Sequence, residues 1–299
     1  MRDLLSFDIL EKNIRKVDYN IECENEYKLF VKSIAHRLLE ENKKVVYVCG
    51  QSSSGKTTTT LRLKSYLERL GNTVHLIELD DFFLPKSQSR INKNGDPDFE
   101  TIFALDLPAI YALKRDINAG KPVILPDFDF VNESHSEGKE FTVKKDDILI
   151  IEGIHSFNNR ILKTFGEESA LKVFITVNTN INFKDTMLRA NDLRFLRRLV
   201  RDYNHRNSDP DYTIKLWKLV RAGEKRYAKG YIEKADIFKN TFLNYEPYVL
   251  LKQAIPLLKN GIETASDTTY YKILLNKVSK FSEIENVEVP TQSILNEFI

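Results

Sequence analysis

The chain has 299 residues, 42% of them hydrophobic and 29% charged, and its 45 Lys and Arg against 43 Asp and Glu leave a formal net charge of +2. That length holds one large domain or two modest ones with ample core, and the charge balance removes any global pull toward nucleic acid or a membrane surface while leaving room for local basic clusters. No run approaches the roughly 20 apolar residues of a membrane helix, "MRDLLSFDILEKNIRKVDYN" lacks the apolar core of a signal peptide, and Cys23 and Cys49 fit neither a disulfide framework nor a metal knuckle, so a reduced, cytoplasmic, soluble protein is expected.

Residues 8–41 are charged and periodic, and "EYKLFVKSIAHRLLEEN" spaces Leu29, Ile34, Leu38 and Leu39 as one face of a helix. Alternation then sets in. "KKVVYVCG" reads as a β-branched strand and "KTTTTLRLKSYLERLG" as a helix closed by Gly71. "TVHLIELD" is a further strand, and "DLPAIYALKRDINAG" a helix stopped at Gly120. "DDILIIEG" and "LKVFITVN" are nearly continuous apolar strands, as burial on both faces of a parallel sheet requires. Helices follow at about 193–206 and 213–230, then "ADIFKNT" as an edge strand, helices at 248–260 and 267–282, and a tail. The pattern predicts an α/β fold, with a doubly wound parallel five-stranded sheet and helices on both faces.

Gly50-Gln-Ser-Ser-Ser-Gly55-Lys56-Thr57 matches G-x-x-x-x-G-K-[ST] between a strand and a helix, the context that separates a phosphate loop from a chance Gly/Ser turn. Glycines let backbone N–H groups curl round an anion, and the helix N-terminus adds its positive end. The cradle is expected to comprise Gly50, Ser52, Ser53, Ser54, Gly55, Lys56, Thr57 and Thr58, with Lys56 reaching the β/γ-phosphates and the Thr57 hydroxyl ligating Mg²⁺. Motors, switches and kinases share this loop, so the chemistry rests on the acids that follow.

"TVHLIELD" ends in Asp80, which in an open parallel sheet lies on the ligand side and can accept a hydroxyl proton. Asp81 reads more readily as a cap or solvent-facing turn. "DDILIIEG" ends in Glu152, where a magnesium-organising carboxylate belongs. A hydrolysing motor more often carries Asp-Glu here, and the following Gly153 weakens that reading.

"DLRFLRRLVRDYNHRN" sets Arg194, Arg197, Arg198 and Arg201 at spacings of three and four, with Arg206 beyond. Their guanidinium forks suit phosphate oxygens, and two readings stand side by side: a lid closing over the transferring group, or a solvated basic face answered by Asp192 and Asp202. The run lacks the interleaved aromatics of a nucleic-acid stacking platform. Trp217, Tyr227 and Tyr231 read as packing, and His155 in "EGIHSF" either touches an acceptor or is a satisfied core histidine.

Taken in order, "GQSSSGKTT", "LDDFF", "GDPDFETIFALDL", "GKPVILPDFDF", "DDILIIEGIHSF", "RFLRRLVRDYNHR", "TIKLWKLVRAGEKRY" and "EKADIFKNTFLNYEPYVL" resemble the uridine kinase family of P-loop phosphotransferases, in particular its bacterial uridine-kinase-like branch. The likeness runs from about residue 40 onward. It implies an N-terminal helical extension at 1–39, a P-loop kinase domain at 40–260 with a lid at about 193–212, and a C-terminal helical extension at 261–299 packed on it. It further implies Mg²⁺-dependent transfer from ATP or GTP to the 5′-hydroxyl of uridine or cytidine, with a small-molecule nucleoside as partner and a homo-oligomer left open. By motif position Asp80 is the base, and Lys56, Arg198 and Arg201 act at the transferring group. Thr57, Asp80 and Glu152 then hold the metal, while Arg206 meets the donor. Glu100, Phe128, Phe130 and Arg198 are implied at the acceptor, and His155, close to Glu152 in sequence, is a further candidate there. Glu100 stands where the family usually has an aspartate, Phe128 where a tyrosine is common, and Leu216 where a glutamine often reads the base. His135 matches the base-reading histidine only after a shift of two residues. A kinase for another hydroxyl acceptor, and a nucleotide-binding or RNA-associated module with vestigial catalysis, are the alternatives.

Overall fold

The computed structural model describes residues 2–14, 16, 18–91, 95, 98–129, 134–183, 185–281 and 287–299. A short strand β1 (Asp3–Ser6) and helix α1 (Phe7–Ile14) lead into the long helix α2 (Tyr19–Glu40). Then come β2 (Val45–Gly50), α3 (Lys56–Arg69), β3 (Val74–Glu78), α4 (Leu107–Asn118), the hairpin β4 (Val123–Asp129) and β5 (Ser134–Phe141), β6 (Ile148–Glu152), α5 (Asn159–Phe165) and β7 (Ala170–Thr176). The remainder is β8 (Thr179–Asn182), β9 (Met187–Leu188), α6 (Ala190–Arg206), α7 (Pro210–Ile232), β10 (Ile237–Asn240), α8 (Glu246–Thr264) and α9 (Thr269–Val278).

The expected sheet forms. Five strands pair all-parallel in the order β10-β7-β2-β6-β3. Every residue of β2 and of β6 is buried, which is why both read as unbroken apolar runs rather than alternating ones. Side chains still alternate between faces. Val46, Val48 and Ile150 join the core under α2, α3, α6 and α8, whereas Val45, Tyr47, Cys49 and Ile151 join the core under α4 and α5. Both cysteines are buried thiols, and no helix among the described residues is long and apolar enough to cross a membrane.

Three departures from the sequence-based expectation have local causes. In α2 the buried stripe is Tyr19, Cys23, Tyr27, Val31, Ile34 and Leu38, and Leu29 faces solvent at 63% exposure. The stripe is anchored by polar contacts that hydrophobicity does not reveal: Tyr27 hydrogen-bonds Thr59 of α3, and buried Glu24 meets Arg62 at 3.3 Å and the Tyr245 hydroxyl at 2.8 Å. The β4–β5 hairpin escapes the period-two signal because all but one of the residues of β5 are exposed. The tail is not loose. Residues Ile294–Glu297 form a 3₁₀ turn, with Ile294, Leu295 and Phe298 fully buried.

Candidate active site

The phosphate loop runs from the end of β2 to the start of α3. Gly50 has no room for a side chain, since a Cβ would overlap the Ile175 carbonyl oxygen, and the left-handed turns at Ser53 (φ 57°) and Gly55 (φ 86°) fold the loop back onto the helix axis. Its carbonyl side is held from behind. Arg194 Nε donates to Ser52 O at 3.0 Å, Arg197 Nη1 to Ser53 O at 3.4 Å, and the Thr241 hydroxyl to Ser54 O at 2.7 Å. With its carbonyls engaged there, the loop turns N–H groups of the opposite sense toward anions, and those of Ser52 and Thr58 already meet carboxylates, Glu224 and Glu297.

Lys56 Nζ lies 3.5 Å from Glu152 Oε1, and the Thr57 hydroxyl donates to Glu152 Oε2 at 3.4 Å. Glu152 is 2% exposed and its acidity is weakened by burial, an effect that Lys56 only partly offsets. Burial would lower the Lys56 pKa, but the carboxylates of Glu152, Asp80 and Glu297 outweigh it and hold the ammonium charged. Asp80 reaches the same place from the neighbouring strand. β3 and β6 pair with Glu78 opposite Glu152, and Asp80 follows in a short 3₁₀ turn, Leu79–Phe82. Asp81 has its pKa raised to about 7, first by burial and then by Glu78, and receives the Phe128 N–H at 3.5 Å.

These residues fit Mg²⁺ of the kind held jointly with phosphates. Among the described residues no three His, Cys, Asp or Glu side chains group as an all-protein cage. A hydroxyl beside one buried carboxylate, with a second carboxylate on the adjacent strand, matches an ion that keeps waters and shares its ligands with a nucleotide.

A cleft of about 1170 Å³ opens from the loop, and Lys56, Thr57, Asp80, Glu100, Phe128, Arg198, Arg201, Arg206 and Leu216 all line it. Within it Glu100 Oε2 is buried with no hydrogen-bond partner among the described residues. Burial and the nearby Glu224 raise the Glu100 pKa to about 8. The segment carrying Glu100 approaches α7 at Gly223, where a Cβ would overlap the Glu100 side chain. Phe128 is 9% exposed, and the hairpin register places His135 directly opposite, with ring centroids 5.0 Å apart. Phe130 lies outside the described residues.

His155 is a correction to the expected acceptor set. It lies behind the cleft wall at 1% exposure, with Nδ1 3.4 Å from the Tyr231 hydroxyl and its ring edge-on to Tyr227 at 5.3 Å. Burial lowers its pKa to about 4, so it is a neutral packing histidine. The arginine helix divides: the sequence reading named Asp202, which answers three of its arginines, but not the burial of the other two. Arg194 and Arg197 are fully buried in ion pairs with Glu224 and Glu246, the latter at 2.6 Å. Arg198, Arg201 and Arg206 gather on Asp202 at 3.0, 2.7 and 3.8 Å, and Arg198 Nη1 also donates to the Ser52 hydroxyl at 3.0 Å. Leu193, Phe195, Leu196, Leu199 and Val200 are all fully buried, so α6 is a core helix, and it presents Arg198, Arg201, Asp202 and Arg206 to the cleft ahead of the turn into α7.

Two residues at the loop carry no signal in the sequence. Glu224 accepts from the Ser52 N–H at 3.3 Å while pairing with Arg194 and Arg221. Glu297 accepts from the Thr58 N–H at 3.2 Å and the Thr58 hydroxyl at 2.7 Å. Each partner is more than 170 positions away, beyond the reach of any periodicity or motif.

The profile of the Phosphoribulokinase / Uridine kinase family matches residues 45–242. A uridine kinase from Macrococcus caseolyticus (strain JCSC5402) is 29% identical over 194 residues, spanning 64% of this chain and 85% of its own length. One from Staphylococcus aureus (strain JH9) is 27% identical over the same spans. A solved structure described as a possible uridine kinase from Bacillus stearothermophilus superposes with a TM-score of 0.48 at 18% identity, covering 71% of this chain and 98% of its own. The chain is a small-molecule kinase, a phosphotransferase with an alcohol acceptor, and it belongs to the Phosphoribulokinase / Uridine kinase family.

Proposed function

We propose that the protein transfers the terminal phosphoryl group of ATP or GTP to the 5′-hydroxyl of uridine or cytidine. The observation that carries this is the shared cleft: Asp80 and Glu100 open onto the same 1170 Å³ space as Lys56 and Thr57, so an alcohol held by the first pair meets a phosphate held by the second. Asp80 accepts the hydroxyl proton as the oxygen attacks. Lys56 and the loop N–H groups steady the β- and γ-phosphates, and Arg198 and Arg201 face the oxygens that carry charge during transfer. Arg206 meets the donor at the cleft mouth. Thr57 and Glu152, with Asp80 across from them, would hold Mg²⁺, which supplies charge neutralisation between the phosphates.

On the acceptor side, Glu100 is suited to ribose hydroxyls, because a carboxyl held largely neutral can both donate and accept. Phe128 offers a flat apolar surface for a pyrimidine, and His135 beside it brings a polar ring near that surface. A second reading, a different hydroxyl acceptor, draws on Leu216 and Phe128, which place apolar groups where uracil would look for hydrogen-bond partners. An RNA-associated role finds little support, since all five arginines of α6 face carboxylate partners within the fold.

The deciding experiment is an acceptor screen. Purified protein with Mg²⁺ and ATP is offered nucleosides, sugars, sugar phosphates and small polar alcohols, and ADP release is followed through a coupled assay. Uridine or cytidine should stimulate turnover most; stimulation by a non-nucleoside alcohol with silence from every nucleoside would transfer the assignment to the second reading.

A further inference from the structure

The C-terminal turn lies on the phosphate loop, outside the 45–242 span matched by the family. It is built to stay there. The Ser293 hydroxyl accepts from the Leu295 N–H at 3.0 Å and hydrogen-bonds the Tyr245 hydroxyl at 2.8 Å. Ile294, Leu295 and Phe298 are fully buried. Ile294 presses on Gly55 so closely that a Cβ there would overlap it, and the Arg197 guanidinium lies 5.0 Å from the centre of the Phe298 ring. From this platform Glu297 extends into the cleft and takes both hydrogens that Thr58 offers, at 3.2 and 2.7 Å.

Thr58 is in the first turn of α3, where backbone N–H groups have no partner within the helix. Those donors, with the positive helix end, are what make a loop of this kind a phosphate site. A carboxylate that already accepts from one of them occupies an anion position. A nucleotide phosphate needing the same hydrogens meets both a taken donor and a like charge.

We propose that Glu297 is a built-in competitor for the nucleotide, a carboxylate that fills a phosphate subsite of the cradle until a polyphosphate displaces it. It thereby sets the affinity for the donor. The proposal rests on the nucleotide-binding half of the proposed function and is independent of the acceptor.

The test is calorimetric titration of wild type and Glu297→Gln with MgATP, MgADP, inorganic tripolyphosphate and adenosine, with no acceptor present. The amide keeps the shape and can still accept from Thr58 but carries no charge. ATP, ADP and tripolyphosphate should each bind about tenfold more tightly to the variant, on the order of what one well-placed charge at a helix N-terminus contributes, and adenosine should not. Unchanged or weaker polyphosphate binding, or an equal gain for adenosine, overturns the proposal. Hydrogen exchange on the wild type decides independently, should the variant misfold: saturating MgADP should speed exchange across residues 293–299, and slowed or unchanged exchange overturns the proposal. A protein that binds ATP yet phosphorylates no nucleoside overturns the acceptor assignment and leaves this inference standing.

Discussion

Asp80 owes its position to two residues of 3₁₀ turn beyond the end of β3, which carry its carboxylate past the sheet edge and into the cleft. As the proposed general base, Asp80 should matter most in the chemical step: Asp80→Asn should lower kcat at least ~10²-fold, measured at saturating MgATP. Retained turnover would take Asp80 out of the chemistry. Glu100 supports a prediction of a different kind. Its carboxyl is raised from 4.5 to about 8 in the fold, so between those values the folded state holds a proton that the unfolded state has released. Stability from this group is therefore fully present below about pH 4.5 and is lost as pH rises toward 8. In thermal melts, Glu100→Gln should gain on wild type steadily from pH 5 to pH 8, and a constant difference across that range would contradict the assignment. Lys56, Thr57, Asp80 and Glu152 were readable because loop and strand ends are local patterns. His155 stayed open between acceptor and core for a related reason: three residues past a strand end is a credible ligand position until Tyr227 and Tyr231, more than 70 residues later, close over it.

At the scale of elements, α6 is the one whose sequence misleads most. Arginines at spacings of three and four suggest a charged surface, yet its hydrophobic stripe and two of its guanidinium groups are fully buried together. What the sequence lacks is the answering carboxylates, supplied by Glu224 on α7 and Glu246 at the start of α8. A charge so deeply enclosed is tolerable only while paired. Removing one member leaves the other uncompensated, so Glu224→Ala should cost about 3–5 kcal/mol of unfolding free energy in urea titration. It should also loosen the loop, because Arg194 then loses the partner that aims it at the Ser52 carbonyl. A loss under ~1 kcal/mol, the scale of an exposed ion pair, would mean that water reaches this pair. The β4–β5 hairpin shows the complementary case. Its strand β5 is mostly solvent-facing, so no alternation marks it, and only the register with β4 reveals that His135 stands beside Phe128.

Across the molecule, the parallel sheet was legible because its central strands, buried on both faces, leave a near-continuous apolar signature, whereas the order of its strands is seen only in the fold. The N-terminal helix was legible as a helix but not as a structural support. Tyr27, Val31, Ile34 and Leu38 belong to the same core as Val46, Val48 and Leu63, so α2 forms a layer over the sheet rather than a leader to it. Ile34→Ala should accordingly cost about 2–5 kcal/mol, the range for a large aliphatic removed from a packed interior, as read by chemical denaturation. A cost under ~0.5 kcal/mol, typical of surface sites, would detach α2 from the core.

The contact between Thr58 and Glu297 joins residues 239 positions apart. Along the chain the eight-residue cradle and its braces Arg194, Arg197 and Thr241 all come before the side chain that rests against it. Loop-closure entropy places such a contact among the last to form. A folding chain thus has its cradle braced before the carboxylate of Glu297 comes to rest against it, and the open form of the cradle precedes the covered one.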